Sequence, residues 1–108
     1  MKVIVGTRDT SRWPEFAGST WVRLQYVLGL AKLGVESFWV DRLSRIDPLE
    51  HPHSLDYLVK RFDRTAQQFG FGDRYCIVYN GGEKHFGLSA QSLHSLIESS
   101  DLLINISG

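Results

Sequence analysis

The chain has 108 residues, twelve Lys and Arg against twelve Asp and Glu, and one cysteine. Its length suits a single domain with its own core, and its balanced charge lacks the basic footprint of a nucleic-acid binder, so small polar molecules are the expected partners. A lone cysteine excludes an internal disulfide and fits a reducing cytoplasm, no run approaches the ~18 apolar residues of a membrane span, and Arg8 and Asp9 come too early for a signal peptide.

"KVIV", Lys2 to Val5, is a short β-branched apolar run closed by Gly6, the pattern of a parallel strand buried on both faces. A loop from Gly6 to Gly18 leads to the helix "GSTWVRLQYVLGLAKLG", where Ser19 or Thr20 can cap the start and Gly34 suits the left-handed residue at the end. "VESFWV", Val35 to Val40, is a second strand ending at Asp41. After a polar connector broken by Pro48 and Pro52, Leu55, Leu58, Val59, Phe62, Ala66 and Phe69 recur at helical spacing from a Ser54 cap to Gly70. "RYCIVYN" reads as a third strand with Cys76 as a buried residue, and "GGEKHFGL" as a loop. Ser89 to Ser99 reads as a short helix with Leu93, Leu96 and Ile97 facing in, and "DLLINIS" as a fourth strand.

This alternation predicts an α/β fold: a three-layer, Rossmann-like half unit with a four-stranded, mostly parallel sheet in the order 3-2-1-4. The first two helices fall on one face and the third on the other. One short helix leaves much of its face open, from which a homo-oligomer, most simply a twofold dimer, is expected.

Ligands of open parallel sheets bind beyond the carboxyl ends of the strands, which selects the loops at Gly6 to Gly18, Asp41 onward, Asn80 to Gly87, and Ser107 with Gly108. The helix start at Gly18, Ser19 and Thr20 suits an anion. Arg23 either meets an anion or a carboxylate, or packs its stem while its head reaches water. Asn80, Gly81 and Gly82 serve either close approach to a ligand or a tight turn, and His85 either acid–base chemistry or a solvated loop. Asp41 holds the place of a ribose-binding carboxylate, against which stand a helix cap and a partner for Arg42 or Arg45. Gly6 and Gly18 are too far apart for a dinucleotide fingerprint, so no cofactor is expected. His51 and His53 serve either as a chelating pair, to which spacing gives no third ligand, or as part of a loop set by Pro52, so no metal is expected, and His94 reads as exposed.

With these residues placed, "MKVIV", "GSTWVRLQYVLGLAKLGVESFWVD" and "SDLLINISG" resemble the N-terminal, acceptor-side portion of GT-B-class glycosyltransferases. The resemblance implies two facing Rossmann-like domains, the first mainly holding the sugar acceptor and the second the nucleotide-sugar donor. It also implies a position for Gly18, Ser19 and Thr20 at the interdomain cleft. Such enzymes continue well beyond the point reached at Gly108, so the expectation is a truncated domain that transfers no sugar alone. The competing expectation is a non-catalytic, self-associating Rossmann-like interaction module.

Overall fold

Lys2–Arg8 forms β1, Glu36–Leu43 β2, Tyr75–Tyr79 β3, Lys84–Gly87 β4 and Leu102–Asn105 β5, while Ala17–Lys32, Leu55–Gln68 and Ala90–Ser99 form α1, α2 and α3. The computed structural model describes residues 1–12 and 17–106, with the backbone alone for 17–22. One sheet runs β4-β3-β2-β1-β5. Within it β3, β2, β1 and β5 are parallel and β4 is antiparallel to β3.

The sheet is therefore mixed and five-stranded, which corrects the expected count of four. The added strand lies in "GGEKHFGL", which the sequence reading assigns to a loop. Four residues, "KHFG", are too few to show an alternation of their own. They become a strand because Phe86 pairs with Ile77 and packs on the core. The four parallel strands keep the expected order, with β1 between β2 and the last strand. Two strands also run further than the apolar runs suggest. Thr7 and Arg8 pair with Asp41 and Arg42, carrying β1 beyond Gly6 and β2 beyond Val40. Polar side chains hide these extensions in the sequence, whereas the ladder requires only backbone groups.

Helix ends follow local chemistry. The Ser54 hydroxyl accepts the Tyr57 amide at 3.1 Å and the Ser89 hydroxyl accepts the Ser92 amide at 3.1 Å, so α2 and α3 have side-chain caps. At the far end of α1, Gly34 has φ +77° and the Val35 amide reaches back to the Leu30 carbonyl at 3.2 Å, closing a Schellman turn. The α1 start differs from expectation. It begins at Ala17, so Ser19 and Thr20 lie inside the first turn and neither is the cap.

The two faces are unequal. On one, Leu24 and Val27 of α1 and Leu58, Phe62 and Ala66 of α2 cover Val3, Val5, Trp39 and Ile77. Trp39 meets Phe62 edge-on at 5.0 Å and Phe71 at 5.6 Å between ring centres. On the other, Leu93 and Leu96 of α3 cover Ile4 and Cys76, and Ile97 and Leu103 remain exposed. As expected, Cys76 is a buried strand residue. Its thiol donates to the Leu88 carbonyl, and burial pushes its pKa up to about 11. No described helix is long and apolar enough to cross a membrane.

Candidate site at the carboxyl edge of the sheet

Beyond β1 the chain turns sharply. Asp9 adopts φ +55° and Thr10–Arg12 form one 3-10 turn. What holds that turn is Asp41, which is fully buried on β2. One carboxylate oxygen accepts the Thr7 hydroxyl at 2.5 Å and the Thr10 amide at 3.1 Å, and the other accepts the Ser11 amide at 3.0 Å and the Ser11 hydroxyl at 2.7 Å. Trp39 completes the network by donating its indole N–H to Thr7 Oγ1 at 2.8 Å. Four donors satisfy the buried charge without any cation.

This geometry overturns the ribose reading of Asp41, because a carboxylate saturated by its own chain has no lone pair facing a ligand. The capping alternative is correct in kind, although the capped element is the 3-10 turn rather than a helix. Sequence reasoning passed over Thr7, Thr10 and Ser11. The available signal was the hydroxyl-rich "TRDTS" after the first strand.

The same turn is braced from outside. Asp9 accepts the Ser44 amide at 2.8 Å and its hydroxyl at 3.1 Å, and Arg12 donates to the carbonyls of Ser44 and Arg45 at 3.2 Å each. His51 is buried, its Nε2 donating to the Arg12 carbonyl at 2.7 Å and its Nδ1 accepting the His53 amide at 3.0 Å. Both ring nitrogens are thus committed to backbone, which excludes His51 as half of a chelating pair. His53 instead stacks on Tyr57 with ring centres 4.4 Å apart. Among the described residues no three His, Cys, Asp or Glu side chains gather as a metal site.

The other predicted positions scatter along this edge. Gly18, Ser19 and Thr20 lie in the first turn of α1, where backbone N–H groups lack intrahelical partners, and their side chains fall outside the described residues. Arg23 is half-buried in the second turn of α1, beside buried Leu24. Asn80, Gly81 and Gly82 all have positive φ and form the reversal between β3 and β4, with the Asn80 side-chain Nδ2 donating to Glu83 Oε2 at 2.8 Å. That is the turn alternative. His85 is on β4 rather than on a loop, half-buried opposite Val78. Exposed His94 pairs with Glu98 one helical turn away at 2.9 Å. Ser107 and Gly108 lie outside the described residues.

What the structure does bring together is the carboxyl end of the central strands on the α3 face. Gly6, Arg42 and Asn105 border a groove of about 280 Å³ whose remaining walls are mainly apolar. Comparisons with known protein families, with characterised proteins and with solved structures give no match. The chemistry of this edge is accordingly read from its own residues.

Proposed function

We propose that the chain is the acceptor-side Rossmann-like portion of a GT-B-class glycosyltransferase, acting in sugar transfer only together with a nucleotide-sugar-binding domain. The observation that carries this reading is the position of β1 between β2 and β5 in a parallel array. The connections leave β1 in opposite directions, and such a reversal opens a crevice at the carboxyl ends of the strands. Three features add support. The resemblance of the segment from Gly18 to Asp41 falls on α1 and β2, which border that crevice. The commitment of Asp41 to its own chain removes the carboxylate that a nucleotide domain would offer to ribose. Glycines and polar side chains at the edge suit a hydroxylated acceptor.

In this reading the chain orients the acceptor and supplies no stabilisation to the departing diphosphate, where much of the barrier to transfer lies. Two proteins test it: the 108-residue chain, and the chain extended by whatever coding sequence follows Gly108. Mass spectrometry of products from a panel of nucleotide sugars is expected to show transfer by the extended protein and none by the short one. Turnover by the short chain, or a downstream sequence without a second α/β domain, overturns the proposal.

A further inference from the structure

Arg8 and Arg42 are direct cross-strand neighbours on parallel β1 and β2. Each lies two residues beyond Gly6 or Val40, so by the alternation of a strand both occupy the α3 face. Both are exposed. Neither guanidinium forms an ion pair or hydrogen bond among the described residues. Like charges placed opposite one another in a sheet repel, and no carboxylate among the described residues forms an ion pair with either. The Asp41 carboxylate on the same strand as Arg42, by contrast, is satisfied by four donors of its own chain.

Arg42 lines one end of the 280 Å³ groove, which is walled by Ile4, Val40, Leu93, Ile97 and Leu103, and the strand register sets Arg8 beside it. Gly6 keeps the floor low between them. A Cβ there would stand in van der Waals contact, 3.7 Å from Leu103 Cδ1 and 3.8 Å from Asn105 Oδ1, and would narrow the groove. An apolar trough ending in two cations matches a molecule with a hydrocarbon body and an anionic head. Adjacent strands are ~4.8 Å apart, and a phosphate monoester has three terminal oxygens that two guanidiniums rising from neighbouring strands can share, whereas one arginine fork saturates a carboxylate.

We propose that Arg8 and Arg42 bind the phosphate of a single-chain amphiphile whose hydrocarbon part lies in the groove between α3 and β5. The site goes beyond the sugar-transfer reading and does not depend on it, since binding alone tests it. Octyl phosphate, monomeric and titrated into the 108-residue chain in low salt, is the probe. Amide shifts are expected at Gly6, Arg42, Ile97 and Leu103. Each buried methylene strengthens association about fourfold, so inorganic phosphate should bind more weakly by tenfold or more. Octyl glucoside, with the same tail and no charge, should also lose about tenfold, as should octyl phosphate on Arg42→Ala. Ile97→Ser should weaken octyl phosphate and leave inorganic phosphate unchanged. Both substitutions are at exposed positions, and melting curves like that of the parent verify the fold.

Equal binding of octyl phosphate and octyl glucoside overturns the proposal, because the arginines then contribute nothing. Equal binding of octyl phosphate and inorganic phosphate does so too, because the groove is then irrelevant. Retention on phosphatidic acid vesicles without response to the monomeric probe would mark a bilayer contact instead. A dimer in sedimentation that Ile97→Ser dissociates, with no probe binding, would assign the groove to a second copy of the chain.

Discussion

The Thr7 hydroxyl donates to Asp41 Oδ1 at 2.5 Å, across 34 residues of sequence, and this contact joins the end of β1 to the end of β2 inside the protein. Because the Asp41 carboxylate also gathers the Thr10 and Ser11 amides, removing it strands several buried donors at once. Asp41→Ala is expected to lower unfolding free energy by about 3 kcal/mol, a large share of the ~5–15 kcal/mol typical of a domain. Thr7→Val, which keeps the shape and loses the hydroxyl, should cost less, about 1–2 kcal/mol. Urea denaturation of both variants checks the order; an Asp41→Ala protein as stable as the parent would show that the network is incidental.

Two glycines should respond to alanine in opposite directions. Gly87 has φ +83°, and a Cβ there would fall 2.5 Å from the Tyr75 carbonyl oxygen in the neighbouring strand. Gly87→Ala therefore strains the backbone and pushes β4 from β3, at a cost of about 3 kcal/mol. Gly29 lies within α1 with nothing within 4 Å of an added Cβ. Gly29→Ala should stabilise by about 1 kcal/mol through helix propensity alone. Thermal melts of the two variants suffice, with shifts of opposite sign expected.

Burial holds the Cys76 thiol at about 11 against an ordinary value of 9.0, and Tyr75 is also raised, first by burial and then by its hydrogen bond to Asp63. Both shifts favour the protonated side chain in the folded state. The Cys76 contribution to stability is thus fully present below about 9 and is lost as pH rises toward about 11, with Tyr75 acting in the same alkaline direction. Native protein at pH 8 should resist iodoacetamide, since the thiolate is scarce and enclosed, and should react readily in denaturant. Rapid labelling of the native chain, seen by mass spectrometry, would contradict this assignment.

Sequence alone determined the features that depend on neighbours along the chain. The amphipathic helix from Leu55, the serine cap at Ser54, the glycine stop at Gly34 and the β-branched strands are local properties, and their alternation determines an α/β sheet with the first and second helices opposite the third. Tertiary structure decided what depends on pairing across long separations. "KHFG" is a strand only because β3 lies beside it, and Ser19 is no cap because α1 starts two residues earlier. Asp41 is the clearest case. In sequence it ends an apolar run and resembles a ligand for ribose; in the fold, hydroxyls and amides from residues 30 to 34 positions earlier enclose it. Arg8 and Arg42 are likewise unrelated until parallel pairing sets them side by side. Side-chain periodicity is written along the chain, but the register between strands is set by burial and backbone hydrogen bonding over the whole sheet, and that register determines which polar groups satisfy each other and which remain for a ligand.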